Sequence, residues 1–219
     1  NQSLSSQTLT IRDGIIISIS KTLPMPAVDL DLSDYTCLPG LINTHVHFDA
    51  NPEDAVDYGV YARRTTEENL ALILRNAATT VHTGFTTVRH VGAWFPDTLA
   101  TARTKINAGE AIGPRIQTAG PYLTIPGGGG DLTFPEIPTD KIPTESQQGI
   151  ASTPEEFADR ASKAIDNGAD FLKVIASGAV FSAGTEPGAP EMHQDDIEAV
   201  VAVAKQHGVK VTKNGADGK

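Results

Sequence analysis

The 219-residue sequence is poor in cysteine, in long apolar runs and in basic residues, and each shortage excludes a class of protein. One cysteine, Cys37, excludes an internal disulfide framework and favours a reducing compartment. No run of about 18 apolar residues occurs, so no transmembrane helix is expected. Seventeen lysines and arginines stand against 27 aspartates and glutamates. The net charge of −10 argues against nucleic acid or an anionic membrane as the main partner.

The start of the sequence also lacks the features of a secretion signal. Residues 1–10 are polar and rich in serine, without the basic start and apolar stretch of a signal peptide. A cytoplasmic protein is therefore the prediction. Cys37 lies in a strand-like stretch at 35–38, which favours a buried structural thiol over a nucleophile.

Residues 1–38 predict a small β-region. Two apolar stretches at 8–11 and 15–20 flank Asp13 and Gly14, and Asp-Gly between alternating hydrophobics is a strong hairpin signal. Short alternating strands are expected again at 28–38. The prediction for this segment is a small β-sandwich.

From residue 39 onward, strand and helix patterns alternate, which is typical of a parallel sheet. Strands are expected at 41–47, 85–91, 115–119, 169–176 and 209–212, and helices at 66–83, 96–108, 154–167 and 192–206. A (β/α)8 barrel needs eight such units and roughly 250 residues. Residues 39–219 supply four units and a fifth strand. The two alternatives are the first half of a TIM-type barrel and an open α/β sheet.

Two histidines at the end of the first strand form the strongest candidate site. His45 and His47 are two residues apart, so their side chains point to the same face of a strand. Their imidazoles can converge on one divalent metal ion such as zinc, at the strand end where parallel sheets place ligands. The competing interpretation is a chance spacing among six histidines.

Lys173 is the second candidate, because it lies within the apolar strand at 171–176. A buried ammonium is costly unless it is paired or loses its charge. One alternative is an ion pair with a carboxylate elsewhere in the chain. The other is a neutral amine that reacts with carbon dioxide to give an anionic carbamate, which can bridge two metal ions.

The segment 122–152 has no periodicity and contains four consecutive glycines, 127–130. Loops of this length are usually functional or disordered. The glycines do not open a helix directly after a strand, which argues against a phosphate cradle. A flexible lid or substrate loop is expected, with a plain linker as the alternative.

Several ordered motifs resemble those of the amidohydrolase superfamily. They are LPGLINTHVH at 38–47, GFTTVR at 84–89, GPRI at 113–116, KVIASG at 173–178 and PGAP at 187–190. The sequence is most similar to the subgroup that contains imidazolonepropionases, Xaa-Pro dipeptidases and ochratoxin-type amidases. The resemblance extends over essentially the whole chain, as the N-terminal portion of such a protein.

This resemblance implies a metal-dependent hydrolase of amide or peptide C–N bonds, in which a metal-activated water attacks the carbonyl. His45 and His47 would bind metal, and Lys173, carrying the carbamate, would be both a ligand and a catalytic residue. The cofactor would be one or two divalent ions, zinc being expected. Substrates would be dipeptide-like compounds, N-acyl amino acids or cyclic amides. A homo-oligomer is an open alternative, whereas nucleic acid and membrane are not expected as partners.

Position in the strand–helix loops suggests a set of substrate-binding residues: Arg89, Trp94, Tyr122, Gly129 and Asp131. The same reasoning makes His90 an additional metal-ligand candidate.

The sequence also departs from the family pattern. Thr212 stands where the fifth strand of the family carries a ligand histidine. The resemblance further implies a histidine on strand six and an aspartate on strand eight, neither of which is expected within residues 1–219. The alternative to an active hydrolase is therefore a truncated, catalytically inactive member of the family. A third hypothesis, an open-sheet binder of small molecules or nucleotides, has no phosphate motif to support it.

Overall fold

The computed structural model describes residues 7–21, 30–135, 137–179 and 186–214. The chain divides into two compact units, Asn1–Pro39 and Gly40–Lys219. Within the described residues, we find no helix with the length and apolar character that crossing a bilayer would require.

The first unit contains an antiparallel hairpin of β1 (Thr8–Arg12) and β2 (Ile15–Ser20). Both turn residues have positive φ, 51° at Asp13 and 74° at Gly14, as a two-residue type I′ turn requires. The predicted strand–turn–strand is thus confirmed. The described part of this unit holds one two-stranded sheet, which does not amount to a sandwich.

The strands predicted at 28–38 are wrong where the structure describes this segment, since 30–38 contain turns and no strand. Alternation alone suggested strands, but local hydrogen bonds favour turns here. The Ser33 amide donates to Asp31 Oδ1 at 2.9 Å, and the Tyr35 amide donates to the carbonyl of Leu32. Cys37 is exposed, so the prediction of a buried thiol is also wrong. Residues 22–29 lie outside the described residues.

The second unit alternates strands and helices. Its strands are β3 (Leu41–Val46), β4 (Phe85–His90), β5 (Arg115–Thr118), β6 (Tyr122–Leu123), β7 (Leu172–Val174) and β8 (Val211–Lys213). Its α-helices are α1 (Val60–Arg63), α2 (Thr66–His82), α3 (Pro96–Asn107), α4 (Pro154–Asp166) and α5 (Gln194–His207). Short 3-10 turns occupy Pro52–Val56, Thr139–Lys141 and Thr144–Gln147.

These six strands form two parallel three-stranded sheets, in the orders β3-β4-β5 and β6-β7-β8. The predicted parallel α/β arrangement is thereby confirmed. The predicted third strand, 115–119, is observed as β5. Gly120, with a φ of 68°, interrupts the extended backbone, and β6 follows in the segment 122–152, where no strand is predicted. β5 joins the first sheet and β6 the second, and an isolated parallel bridge pairs Ala93 with Pro121 beside the break.

Local capping explains why the helices begin where the sequence predicts. Thr65 and Glu68 form a reciprocal capping box at the start of α2. Thr153 accepts a hydrogen bond from the Glu156 amide, with Pro154 in the first turn of α4. α5 ends at Gly208, whose φ of 69° suits a glycine.

Two apolar clusters fill the space between the sheets and their helices. The first lies between β6–β8, α4 and α5, and contains Leu123, Phe157, Leu172, Val174 and Val200 among others. The second lies between β3–β5, α2 and α3, and contains Phe48, Ile73, Val88, Leu99 and Ile116. These clusters fix the strand ends from which the candidate site is built.

A third cluster is largely aromatic and lies beneath the long loop. It consists of Tyr61, Trp94, Phe95, Leu132, Phe134 and Ile137. The loop is anchored to α3 by polar contacts as well. The Glu145 carboxylate accepts hydrogen bonds from the Thr98 amide at 2.7 Å and the Thr98 hydroxyl at 3.0 Å, and Gln148 donates to Asp97 at 2.6 Å. The described part of this segment is therefore packed against the domain, and a role as a lid or substrate loop stays a prediction.

Glu145 acts as a remote N-cap for α3, since the residue that precedes this helix, Phe95, has no capping side chain. We expect Glu145→Ala to lower the free energy of unfolding by about 1–2 kcal/mol, because a helix-terminal amide loses its acceptor. Urea denaturation measures the change. Glu145→Gln is the matched control: its amide oxygen keeps the hydrogen bond from Thr98, so most of the stability should remain. Equal losses in both variants would contradict the capping role.

Candidate metal centre

His45 and His47 lie at the carboxyl end of β3. Strand geometry directs both imidazoles to one face, and their Nε2 atoms are 3.3 Å apart. His45 is exposed and His47 is half-buried. The structure therefore brings together the two residues that the sequence predicts as metal ligands.

The spacing of these two nitrogens fits a shared metal ion. In tetrahedral zinc sites each Zn–N bond is about 2.0–2.1 Å, which separates two ligand nitrogens by roughly 3.3 Å. The observed distance of 3.3 Å equals this separation. Imidazole nitrogen is also a donor that zinc prefers. On donor type and spacing, the pair is suited to a divalent transition metal.

The far side of the His47 ring is held by two oxygens. Its Nδ1 lies 3.0 Å from the backbone carbonyl oxygen of Gly92 and 2.9 Å from the hydroxyl of Tyr122. A carbonyl oxygen can only accept, so its hydrogen bond requires the proton on Nδ1. In that tautomer Nε2 carries a lone pair directed at the space beside His45. Metal-binding histidines are commonly oriented in this way.

The electrostatics of the pair favour neutral rings. Burial lowers the pKa of His47, and the nearby Asp49 carboxylate opposes this effect. The pKa of His45 is lowered first by the partial burial of its ring, and then by the charges of His47, Lys173 and Arg89. Neutral imidazole is the form that binds a metal ion.

Lys173 lies in the middle of β7, and its side chain is 5% exposed. Burial lowers the pKa of its amine, and the charge of Arg89 adds to the effect. The amine forms no ion pair or hydrogen bond with another described residue. Of the two interpretations offered by the sequence, the carboxylate-paired lysine is therefore absent from the described part of the chain. Burial thus shifts the amine towards its neutral form.

The strand register places two side chains beside Lys173. Tyr122 is its partner on β6, and Thr212 is its partner on β8. Thr212 is thus the direct neighbour of the lysine and offers a hydroxyl where an imidazole would be a stronger ligand for zinc.

Asn214, just after β8, joins the ends of two strands. It accepts from the Ala176 amide at 2.9 Å and donates to the Ser177 carbonyl at 3.1 Å. Sequence reasoning missed this residue, because an isolated asparagine carries no signal for a contact some 37 residues away.

A ligand role for His90 stays a prediction, although its ring lies within the core. Its side chain is fully buried, and its Nε2 accepts a hydrogen bond from the Phe48 amide at 2.8 Å. Burial holds the pKa of His90 well below its usual range, so the ring is neutral. This contact engages one of the two ring nitrogens with the backbone.

Asp49 is a buried carboxylate that the sequence did not single out. It is 1% exposed, accepts a hydrogen bond from the Trp94 amide at 2.9 Å, and lies 3.6 Å from His90 Nε2. Burial raises its pKa. Asp49 ties the loop after β3 to the turn before α3. Across the described ranges, no group of three or more His, Cys, Asp or Glu side chains is arranged to hold a metal ion.

The predicted substrate-binding residues have structural partners of their own. The Arg89 guanidinium stacks over the Phe171 ring, 4.1 Å from its centroid. Trp94 is 6% exposed, and its indole N–H donates to the carbonyl of Gly130. Tyr122 contacts His47. A role in substrate binding stays a prediction for each of them.

The remaining two lie in the glycine loop. The Gly129 amide donates to Glu191 Oε2 at 2.8 Å, which links the loop to the segment after β7. Asp131 is buried, accepts from the Gly127 amide at 2.8 Å, and has its pKa raised by burial. These contacts hold the glycine loop near the lysine strand. Substrate binding by Gly129 and Asp131 also stays a prediction.

Comparisons with known proteins all point to the same family. A model described as the amidohydrolase family matches residues 36–214. A curated relative, ochratoxinase of Aspergillus niger, is 25% identical, and the match covers 92% of this chain and 44% of the relative.

Solved structures give the same result. A Xaa-Pro dipeptidase with bound methionine in its active site is 30% identical with a TM-score of 0.76, covering 92% of this chain and 50% of that one. A prolidase complexed with N-methylphosphonate-L-proline is 25% identical with a TM-score of 0.74, covering 91% and 49%. The chain spans about half the length of these relatives.

Proposed function

Because this chain belongs to the amidohydrolase family, we propose that it is part of a metal-dependent hydrolase of amide and peptide C–N bonds. The observation that carries the proposal is the 3.3 Å approach of the Nε2 atoms of His45 and His47. The names of its relatives, an ochratoxinase and a Xaa-Pro dipeptidase, support small amide substrates. Dipeptide-like compounds, N-acyl amino acids and cyclic amides are the substrate classes proposed.

The fold proposed for this hydrolase is a (β/α)8 barrel, of which residues 39–219 form about the first half, preceded by a small β-domain at 1–38. The sequential strand orders β3-β4-β5 and β6-β7-β8, with helices between the strands, support this arrangement. It places the carboxyl ends of β3 and β7, and hence the histidine pair and the lysine strand, at the face where such barrels carry active sites.

His45 and His47 are the proposed ligands of a divalent ion, with zinc expected, and Lys173 is proposed as a further ligand and catalytic residue once it carries a carbamate. Such an ion, when bound, lowers the pKa of a water molecule and polarises an amide carbonyl. The chain prepares both parts of this site. The carbonyl of Gly92 keeps a lone pair on His47 Nε2, and the buried setting of Lys173 favours the neutral amine that reacts with carbon dioxide.

The substrate is proposed to lie near the strand ends, where Arg89, Trp94, Tyr122, Gly129 and Asp131 are the candidate contacts. Arg89 offers the clearest physical basis. It is half-buried, and its charge reaches both His45 and Lys173, so a substrate carboxylate would be attracted to the same place. Dipeptides and N-acyl amino acids carry such a carboxylate.

A catalytically inactive family member is the second candidate, and one observation favours it. Thr212 is the register partner of Lys173, so the position beside the lysine lacks an imidazole. Such an inactive chain would bind a metal ion at His45 and His47, but it would lack the further ligands that hydrolysis requires.

One experiment separates the two candidates. The purified chain, loaded with zinc, is incubated with N-acyl amino acids, proline dipeptides and ochratoxin A, with and without a chelator. The hydrolase proposal expects product that disappears with chelation and returns with added zinc. Bound zinc without product on any substrate would favour the inactive alternative. Neither zinc nor product would contradict both.

A further inference from the structure

We propose that Tyr122 is a positioning residue, which together with the carbonyl of Gly92 holds His47 in the tautomer that exposes Nε2 as a ligand. This inference rests on the proposed metal site and gives Tyr122 a role on the histidine, separate from its proposed contact with the substrate. The observation behind it is that two oxygens from different segments converge on one ring nitrogen. The Tyr122 hydroxyl and the Gly92 carbonyl lie 2.9 and 3.0 Å from His47 Nδ1.

Hydrogen-bond chemistry decides which tautomer these two oxygens favour. A carbonyl oxygen is an acceptor only, whereas a phenol oxygen can donate or accept. Both contacts are favourable at once only if His47 carries its proton on Nδ1 and shares it between the two oxygens. The opposite tautomer would set a bare nitrogen against the Gly92 carbonyl. The pair of acceptors therefore selects Nδ1–H and leaves the Nε2 lone pair facing His45.

The backbone at Gly92 is built for this contact. Gly92 has a backbone φ of 104°, a conformation that residues with a side chain rarely adopt. A Cβ at this position would also overlap the Tyr122 ring. The absence of a side chain lets the phenol lie against the same peptide segment whose carbonyl binds His47. Glycine at 92 and tyrosine at 122 thus form one structural unit, which we call the His47 clamp.

The clamp is anchored on both sides. Next to Gly92, the Trp94 amide is held by the buried Asp49 carboxylate at 2.9 Å. The Tyr122 ring packs edge-to-face with the Trp94 ring at a centroid distance of 5.8 Å, and its backbone pairs with Lys173 on β7. Tyr122 therefore has little rotational freedom, as a positioning residue requires.

The test compares Tyr122→Phe with Tyr58→Phe. The first substitution removes the hydroxyl from the clamp and keeps the ring. The second removes a hydroxyl from the neighbouring aromatic cluster, where Tyr58 stacks on Phe134 at 4.2 Å. Zinc affinity is measured by competition with a chromophoric chelator. The His47 tautomer is measured on the metal-free chain by NMR of 15N-labelled histidine, assigned with a His47→Ala variant.

We expect Tyr122→Phe to weaken zinc binding by about 10- to 100-fold, the usual loss when an orienting partner of a metal-binding histidine is removed. In the metal-free chain, the ratio of Nε2–H to Nδ1–H at His47 should rise by roughly five-fold. Tyr58→Phe should change both quantities by less than about two-fold. A merely structural role of Tyr122 would not move the tautomer ratio of a folded chain.

The two readouts separate failure of the clamp from failure of the proposed function. An unchanged tautomer ratio, or a shift toward Nδ1–H, in Tyr122→Phe overturns the clamp even if the parent binds zinc. A parent chain that binds no zinc would contradict the proposed function. The tautomer ratio in the metal-free chain would still support or overturn the clamp in that case.

Discussion

Replacing both His45 and His47 by alanine is expected to weaken zinc binding by more than about 100-fold. Losing the partner that orients a metal-binding histidine already costs about 10- to 100-fold, and losing the ligands themselves costs more. The 3.3 Å approach of the two Nε2 atoms makes them one binding unit, so either single variant should lose most of the affinity. Isothermal titration of the purified chain with zinc measures the change.

A matched control comes from two other histidines of the chain. His82 and His207 are exposed in the last turns of α2 and α5. The His82→Ala/His207→Ala variant also removes two imidazoles, but its zinc affinity should stay within about two-fold of the parent. Similar losses in both double variants would mean that zinc binds to surface histidines in general, and the proposed site would be wrong.

The second large effect is expected at Lys173, where Lys173→Met should raise the free energy of unfolding of the metal-free chain by about 1–3 kcal/mol. The amine is buried without an ion pair among the described residues. Folding must therefore either bury its charge or shift it towards the neutral form, and both oppose folding. Methionine has a similar length and carries no charge. Urea denaturation near neutral pH, in buffer free of carbon dioxide and metal, measures the difference.

The exposed Lys213 on β8 provides the control for this substitution. Lys213→Met should change the stability by less than about 0.5 kcal/mol, as is usual for surface positions. A Lys173→Met variant less stable than the parent would show that the lysine gains a favourable partner in the folded chain. That result would remove the physical reason for a reactive neutral amine at this position.

The parts of the fold that the sequence predicts well are those with strong local signals. The capping box of Thr65 and Glu68 and the N-cap at Thr153 mark two helix starts, and the structure has both. Asp13 and Gly14 form the predicted hairpin turn. In each case a few neighbouring residues determine the backbone, so no knowledge of distant contacts is needed.

Predictions fail where distant or competing contacts decide the structure. The strands expected at 30–38 give way to turns formed by Asp31 and its neighbours. The short helix α1 has no helical periodicity. It begins after Pro52–Val56, and Arg64 at its end forms a bidentate ion pair with Asp54, ten residues earlier. β6 lies in the segment predicted to be a loop, and its two residues are too few to give a periodic pattern.

In the candidate site, too, the features set by neighbouring residues are predicted and those set by distant contacts are not. Strand periodicity is sufficient to bring His45 and His47 together, and an apolar strand is sufficient to identify Lys173 as unusual. The contacts around the site are different. The Gly92 carbonyl contacts His47 and the Asp49 carboxylate contacts the Trp94 amide, and each contact joins segments 45 residues apart. A single sequence contains no signal for such pairs.

X-ray absorption at the zinc edge, recorded on the chain after one equivalent of zinc has been added and unbound metal removed, tests the central claim most directly. The proposed site predicts nearly stoichiometric zinc with two imidazole nitrogens at about 2.0–2.1 Å. Both imidazole contributions should disappear in the His45→Ala/His47→Ala variant. No retained zinc, or zinc without imidazole ligands, would contradict the assignment of His45 and His47 as a metal centre.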